Sequence, residues 1–271
     1  MFNSISAQAS KLVNLTKNSS VVSKTKLLTI TSGKGGVGKS TLTANMAYLL
    51  AIRGFKVAVI DADIGLANMQ VLFDIKPRYS LFDYIEGRNT IEEVISQTSY
   101  ENISLIAGKS GYQYSSLKAS FVLTRIVEDV KTLNKFDYII IDTGAGLNEY
   151  VQEFLSISDN ILALTTTDPS ALTDVYALIK MLSKDKQKLL ICFNHTKNYN
   201  IGETISKSLV NLAKKNRLNS NFMVKYIGNV STSANISTTS RLRKLFVQEF
   251  TNDEITLQLQ KIIDILLKEV R

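Results

Sequence analysis

A glycine-rich segment with the sequence SGKGGVGKST, residues 32–41, constrains this chain more than any other stretch. Residues 33–40 match the phosphate-binding pattern G-x-x-x-x-G-K-[ST]. An apolar, β-branched run at residues 26–31 comes before it, and an apolar run at helical spacing, residues 42–50, comes after it. A strand, a glycine-rich loop and a helix are the context in which this pattern binds phosphate. We therefore predict a phosphate-binding loop at this position.

Each residue type in the loop has a physical role. Glycines let backbone N–H groups turn toward phosphate oxygens, and the N-terminus of the following helix adds partial positive charge. Lys39 is expected to reach the β- and γ-phosphates, and the Ser40 hydroxyl is expected to bind Mg²⁺. The predicted nucleotide-binding residues of the loop are Gly33, Lys34, Gly35, Gly36, Val37, Gly38, Lys39, Ser40 and Thr41.

The composition narrows the class of protein further. With 271 residues, 45% hydrophobic and 21% charged, the chain can form one large α/β domain or two small ones. The net charge of +8 favours anionic partners, although an excess of lysine is more often a solvated surface. No stretch approaches the roughly 20 apolar residues of a membrane span, and residues 1–6 lack the regions of a secretory signal. We therefore predict a cytoplasmic protein.

The chain has one cysteine and one histidine. Cys192 cannot form an internal disulfide, and because it lies in the apolar run 189–193 we predict a core residue and not a nucleophile. His195 has no obvious ligand or base partner nearby in the sequence. We therefore predict a structural or surface role for His195.

From residue 26 onward, apolar runs alternate with segments at helical spacing. We predict strands at residues 26–31, 55–60, 103–108, 138–141, 161–166, 188–193 and 223–227. We predict helices at residues 42–50, 79–87, from 90 through 95, at 120–133 and at 171–183. Strands that are apolar throughout indicate a mostly parallel central sheet with helices on both faces.

Ligands of such a sheet bind beyond the carboxyl ends of its strands, and three acidic residues follow predicted strands there. Asp142 ends an apolar run as a Walker B carboxylate does, and would bind Mg²⁺ directly or through water. Asp61 and Asp63 follow another strand, so that one can support the metal and loop network while the other orients an attacking water. Lys34, well before Lys39, could supply the cation that faces the γ-phosphate in the transition state.

Residues 34–41 resemble the deviant Walker A motif of the MinD/ParA family of P-loop ATPases, and the similarity covers about residues 26–250. The resemblance implies a three-layer α/β/α P-loop NTPase fold and slow, partner-regulated hydrolysis of ATP with Mg²⁺. It also implies a homodimer that forms on ATP binding, in which Lys34 crosses the interface to the nucleotide of the other subunit.

The resemblance assigns further roles. Residues 61–68 match the family's second switch-like motif, which would make Asp63 the residue that positions the hydrolytic water and Asp61 a support for the phosphate and metal network. Residues 142–146 match the Walker B and switch II stretch, and Asn194 matches the adenine-reading position. The implied catalytic residues are Lys34, Lys39 and Asp63, and the implied metal ligands are Ser40 and Asp142. Residues 228–232 lack the proline and acidic residue that the family places after the glycine, which leaves the adenine contacts of this loop open.

Two stretches resemble the FlhG (FleN or YlxH) branch of the family, which regulates flagellar number. Residues 166–180 resemble its T-x-P-[ED]-P-x-x-x-T-D-x-Y-A-L-I-K motif. Residues 1–24, a predicted flexible partner-binding tail, resemble its D-Q-A-x-x-L-R motif, which activates the GTPase FlhF. Gln8, Ala9 and Leu12 match that motif, whereas Ala7 and Val13 replace its charged residues. The implied partners are FlhF, flagellar C-ring proteins and inner-membrane lipid.

We divide the rest of the chain into an ATPase domain, residues 25–250, and a C-terminal amphipathic helix, residues 251–271. The apolar residues of this helix share one face: Ile255, Leu259, Ile262, Ile263, Leu266, Leu267 and Val270. In this family a terminal amphipathic helix binds membrane when ATP drives dimerisation. The polar face here is about neutral, so peripheral membrane attachment and packing on the domain both stay open.

Three other readings of the chain stay open. One is a division-site MinD ATPase, against which the long tail and the YALIK stretch, residues 176–180, both speak. The second is a ParA-type partition ATPase that binds DNA, which the absence of a dense Arg/Lys helix disfavours. The third is a nucleotide-binding scaffold without turnover, against which Lys34, Asp63 and Asp142 argue.

Overall fold

The computed structural model describes residues 25–63, 67–109, 121–197, 201–216, 219 and 221–270. The predicted partner-binding tail, residues 1–24, lies outside the described residues, as do residues 64–66 of the switch-like motif.

Strands and helices alternate along the described chain, as predicted. The strands are β1 Lys26–Ser32, β2 Val57–Ala62, β3 Ile95–Gln97, β4 Ile103–Ile106, β5 Tyr138–Ala145, β6 Asn160–Thr165, β7 Lys188–Thr196 and β8 Met223–Ser231. The helices of the first half are α1 Lys39–Ala51, α2 Met69–Leu72, α3 Leu81–Ile85, α4 Ile91–Val94 and α5 Phe121–Thr132. Those of the second half are α6 Glu149–Ile157, α7 Pro169–Leu182, α8 Ile201–Lys215, α9 Ala234–Arg241, α10 Phe246–Glu249 and α11 Glu254–Glu269.

The strands form one sheet in the order β3-β4-β2-β5-β1-β6-β7-β8. Neighbours pair in parallel except at the edge, where β3 and β4 are antiparallel. The sheet is therefore mostly parallel, as predicted. The edge strand corrects one prediction, since the helix expected to run through Ile95 stops at Val94. Thr90 and Glu93 form a capping box at the start of the helix, but Ile95 adopts an extended conformation and starts β3.

Helices cover both faces of the sheet, which gives the three predicted layers. Alternate residues of a strand point to opposite faces, so Leu28 and Ile30 of β1 lie in one core cluster and Leu27 in another. The first cluster contains side chains of α1, α10 and α11, and the clusters on the other face contain those of α3 to α8. Cys192 is fully buried in the first cluster, which raises its thiol pKa to about 12 and confirms a core residue.

The apolar face of α11 packs on the sheet. Its side chains are at most 3% exposed at Ile255, Leu259, Ile262, Ile263, Leu266 and Val270, and Leu267 packs against the same cluster. Polar contacts hold the helix at both ends, because Gln258 bonds to Ser231 and Glu269 pairs with Lys188 and Lys225. Of the two alternatives for this helix, the structure shows packing on the domain. Within the described ranges, no helix is long and apolar enough to cross a bilayer.

Candidate functional site

The glycine-rich loop leaves β1 and enters α1 at the carboxyl end of the central strand. Gly36 and Gly38 adopt left-handed φ angles of 77° and 88°, which a residue with a side chain adopts only with strain. Gly38 is also the N-cap of α1, and no side chain caps the helix there. The backbone N–H groups of the first turn are thus left to an external acceptor such as a phosphate oxygen.

Gly33 lies directly against helix α7. A Cβ atom placed on Gly33 would come within 2.2 Å of the Asp174 Cβ atom, which is closer than real Cβ contacts. Gly35 in the same loop has an ordinary neighbour, since its Cβ would lie 3.9 Å from that of Ala145. Packing against α7 therefore requires glycine at Gly33 but not at Gly35.

We expect Gly33→Ala to destabilise the nucleotide-free protein by about 1–3 kcal/mol, because α7 must move away from the new methyl group. Gly35→Ala is the matched control and should change the free energy of unfolding by less than about 0.5 kcal/mol. Urea unfolding of the intact chain and both variants measures the difference. Equal stability of the two variants would contradict the close packing of Gly33 on α7.

Lys39 and Asp142 form a buried ion pair below the loop. The Lys39 Nζ atom lies 3.0 Å from Asp142 Oδ1, and the two side chains are 7% and 0% exposed. The hydroxyl of Thr43 donates to the same carboxylate oxygen at 3.0 Å. Within the described part of the chain, the other oxygen, Asp142 Oδ2, is buried without a hydrogen-bond partner. One buried carboxylate oxygen is therefore free to accept a ligand.

The donor set fits Mg²⁺ better than a metal held by protein alone. Among the described residues, no group of three or more His, Cys, Asp or Glu side chains could hold a metal ion. Mg²⁺ needs fewer protein ligands, because one or two carboxylates, waters and substrate phosphates usually complete its coordination. The unpartnered oxygen of Asp142 and the hydroxyl of Ser40, at the start of α1, are groups of this kind.

Asp61 holds the segment after β2 in place. It pairs in register with Asp142 across the sheet and is 1% exposed. Its oxygens accept backbone N–H groups of Asp63 at 3.3 Å and of Asn68 and Met69 at 3.0 Å. Burial, and then the negative charge of Asp142, raise the pKa of Asp61 to about 7. The carboxyl group of Asp61 therefore holds the segment that follows β2, whereas Asp63 is only partly buried.

Asp63 lies over the end of β5, the strand that carries Asp142. Its Oδ1 atom is 3.6 Å from the position of a Cβ on Gly144. The structure thus brings Asp61, Asp63, Asp142 and Lys39 together on the β2 and β5 side of the loop, as the spacing along the chain predicted.

The side chain of Lys34 points toward α7, away from these acidic residues. Its exposed side chain donates from Nζ to Ser170 Oγ at 3.0 Å, at the start of α7. Ser170 was not predicted as a partner, because the two residues are 136 positions apart in the chain and no local pattern connects them. In this single chain the lysine predicted to face a γ-phosphate is held by its own subunit.

Helix α7 connects the loop to a surface groove that the sequence analysis also missed. The first turns of α7 contact Gly33 and Lys34, and its later turns line a groove of about 670 Å³. The groove is lined by Thr173, Tyr176, Ala177, Lys180, Met181, Ser183, Lys184 and Asn219. Residues 166–180, which resemble the flagellar motif, therefore run from the loop to this groove.

Asn194 is tied to the loop from the other side. Its Nδ2 atom donates to the Val37 carbonyl at 2.8 Å, and its Oδ1 atom accepts the N–H of His195 at 2.9 Å. Asn229, in the atypical 228–232 loop, is buried and fully engaged, because it donates to Thr196 Oγ1 and accepts from the Tyr226 hydroxyl. The side chain of Asn229 thus stabilises the β7–β8 pair and does not face the loop.

A family model and two curated proteins are similar to this chain. A family model described as an AAA domain matches residues 25–197. The flagellum site-determining protein YlxH of Helicobacter pylori is 36% identical over 270 residues, which cover 97% of this chain and 91% of YlxH. The antiactivator FleN of Pseudomonas aeruginosa is 34% identical over 163 residues, 59% of this chain and 57% of FleN.

A solved structure supports the fold. The septum site-determining protein MinD of Pyrococcus horikoshii, complexed with Mg-ADP, superimposes with a TM-score of 0.77 at 22% identity. The match covers 90% of this chain and 97% of that one. At this level of identity the similarity establishes the fold alone.

Proposed function

Because this chain belongs to the MinD/ParA family of P-loop ATPases, and is therefore an ATPase, we propose that it is an ATP-dependent dimerising switch that regulates flagellar number or placement. The observation that carries this proposal is the match to YlxH along almost the whole chain, 97% of its length. The second half of the chain, where residues 166–180 lie, is included in that match.

In the proposed mechanism the loop binds the phosphates of ATP through the backbone N–H groups at the start of α1. Lys39 exchanges part of its pairing with Asp142 for the β- and γ-phosphates, which a flexible ammonium group can do without moving the backbone. Ser40 and Asp142 Oδ2 would hold Mg²⁺, which neutralises charge on the phosphates when bound. Asp61 holds the 63–69 segment so that Asp63 can orient the attacking water.

Dimerisation would complete the site. We propose that Lys34 leaves Ser170 of its own chain and contacts the nucleotide of the second copy. An exposed hydrogen bond of this kind contributes little, so a triphosphate can displace it. Because Ser170 is at the start of α7, this exchange would signal the nucleotide state to α7.

We expect Lys34→Ala to weaken the ATP-dependent dimer by roughly 10²- to 10⁴-fold, because a symmetric dimer loses two charge-assisted hydrogen bonds, one from each subunit. ADP binding by the single chain should stay within about twofold, because the loop backbone and Lys39 are intact. Ser170→Ala is the control that frees Lys34 without removing it, and should dimerise at least as well as the intact chain. Light scattering with ATP measures the strength of the dimer, and titration calorimetry with ADP measures nucleotide binding by the single chain. A dimer of normal strength in Lys34→Ala would exclude this role.

The proposed partners follow the flagellar relatives. We propose that residues 1–24 bind the GTPase FlhF and that flagellar C-ring proteins dock on the folded domain. We also propose peripheral attachment to the inner membrane. That attachment cannot use the apolar face of α11 while this helix is packed on the sheet.

The test is to delete the gene in its own bacterium and count flagella per cell by electron microscopy. We expect an altered number or position of flagella, which the intact chain restores and Lys34→Ala does not. Normal flagella with minicells would instead identify a division-site ATPase, and plasmid or chromosome loss would identify a partition ATPase. Normal flagella, division and segregation would overturn the proposal.

A further inference from the structure

The groove on the later turns of α7 has an apolar lining that is held in place by the fold. Tyr176 and Met181 are partly buried and pack against the core cluster beneath α7, and Ala177 beside them is exposed. The Tyr176 hydroxyl accepts a hydrogen bond from the Asn216 amide at 2.8 Å, which holds the aromatic ring beside the end of α8. An apolar side chain of a partner would therefore meet a surface that is already ordered.

Four exposed lysines lie in or beside this groove. They are Lys180 and Lys184, which line it on α7, and Lys214 and Lys215 in the last turn of α8. That turn is close to the groove, because Asn216 follows it directly and bonds Tyr176. Within the part of the chain that the structure describes, none of the four lysines forms an ion pair. Ammonium groups without a counter-charge attract an anionic partner.

The acidic residues of this region have other neighbours. Asp174 of α7 packs against the phosphate-binding loop. Asp185, after the end of α7, acts on the charge of Lys186. The acidic residue of α8, Glu203, is in the first turn of that helix and pairs with Lys207. The ends of α7 and α8 therefore present positive charge around an apolar groove.

We propose that this groove binds an acidic, amphipathic segment of a partner protein. Its apolar side chains would contact Tyr176 and Met181, and its carboxylates would pair with the surrounding lysines. Complementary charge selects such a partner and speeds its association, while burial of apolar side chains contributes affinity. Leu212, four residues before Asn216 on α8, is 45% exposed and offers a further apolar contact. The inference goes beyond the proposed function and does not rest on it.

The groove fits a protein segment better than the two other anionic partners. A nucleic-acid backbone supplies charge without apolar side chains, so it would leave Met181 and Leu212 uncovered. The surface of a bilayer is flat on the scale of one groove and would contact its rim but not its lining. A peptide presents carboxylates and apolar side chains on neighbouring positions, as grooves that bind amphipathic segments require.

The test measures binding of short labelled peptides by fluorescence anisotropy, without nucleotide. The probe consists of three repeats of Glu-Glu-Leu-Leu, and two further peptides repeat Glu-Glu-Ser-Ser or Lys-Lys-Leu-Leu. The double variant Lys180→Glu with Lys184→Glu reverses two charges of the groove. The double variant Lys76→Glu with Lys268→Glu is the matched control, because it changes the net charge equally at exposed lysines on the α1 and α11 side of the sheet.

We expect the intact chain to bind the Glu-Leu peptide, and the groove variant to bind it at least about tenfold more weakly, since two attractions become repulsions. The control variant should bind it within about twofold of the intact chain. The Glu-Ser peptide should bind the intact chain at least about tenfold more weakly than the Glu-Leu peptide, because it has no apolar side chains to bury. The Lys-Leu peptide should bind the groove variant better than the intact chain.

Other results overturn the inference. No binding of the Glu-Leu peptide, or equal weakening in the control variant, would show that the groove is not the site. Equal binding of the Glu-Ser peptide would show that the apolar lining is not used. Tighter binding of a DNA duplex or of phosphatidylglycerol vesicles, lost in the groove variant alone, would assign the groove to nucleic acid or to the membrane instead. None of these measurements depends on ATP hydrolysis or on flagella, so failure of the proposed function would be seen separately.

Discussion

Asp63→Ala should lower the rate of ATP hydrolysis by about 10²- to 10⁴-fold, the usual contribution of a group that positions or deprotonates an attacking water. Phosphoryl transfer depends on positioning and charge stabilisation, so loss of this one carboxylate should remove most of the rate. Asp63 lies over the end of β5, next to Gly144 and on the same side of the loop as Asp142. Phosphate release at saturating ATP measures the effect.

ATP binding should survive in Asp63→Ala, because the groups of the loop that hold the phosphates do not depend on that carboxylate. The variant should therefore accumulate as an ATP-bound dimer, which light scattering detects. Asp185→Ala, which removes an exposed carboxylate after the end of α7, is the control and should hydrolyse ATP normally. Turnover at the intact rate in Asp63→Ala would exclude the proposed role. Loss of binding together with turnover would make Asp63 a structural residue of the loop.

Lys39→Ala should affect both binding and stability. It removes a charge-assisted hydrogen bond to phosphate, so we expect nucleotide affinity to fall roughly 10- to 100-fold. It also leaves Asp142, which is 0% exposed, as an unpaired buried carboxylate. Breaking a buried ion pair in this way typically costs about 3–5 kcal/mol. Calorimetry with ATP and urea unfolding without nucleotide measure the two effects separately.

The double variant Lys39→Ala with Asp142→Asn separates the two causes. Its neutral amide can still accept the Thr43 hydroxyl and needs no counter-charge, so most of the lost stability should return. Nucleotide affinity should remain low, since the lysine is still absent. A double variant as unstable as Lys39→Ala alone would mean that the cavity left by the lysine, and not the uncompensated charge, destabilises the protein.

The sequence predicted those parts of the fold that rest on local patterns. Strands β1, β2, β5, β6 and β7 are apolar runs, as buried parallel strands are. Parallel strands also present their carboxyl ends at one edge of the sheet, so the spacing along the chain was enough to place Asp61 and Asp142 together. The pairing of Lys39 with Asp142 extends that prediction, because a buried ammonium group needs a carboxylate and Asp142 was expected nearby.

Contacts between distant segments could not be predicted in this way. Ile95–Gln97 is a strand of only three residues, too short to show alternation, so its pairing with β4 went unnoticed. The position of His195 depends on a register shift between β7 and β8, which leaves no trace in the sequence of either strand. The sequence could not decide whether α11 binds a membrane or packs on the domain, because the same amphipathic pattern suits both surfaces.

Because the apolar face of α11 packs on the sheet, a lipid bilayer could bind that face only in competition with the sheet. A synthetic peptide of residues 251–271 has the same amphipathic pattern without the sheet that covers it, so vesicle binding by that peptide would not show that the intact protein uses this helix. In the intact protein, the apolar side chains of α11 can reach a bilayer only if the helix leaves the sheet, which exposes the covered face of the sheet to water. Recruitment through α11 would therefore appear as a vesicle-dependent fall in the unfolding midpoint, whereas attachment through any other surface would leave or raise it.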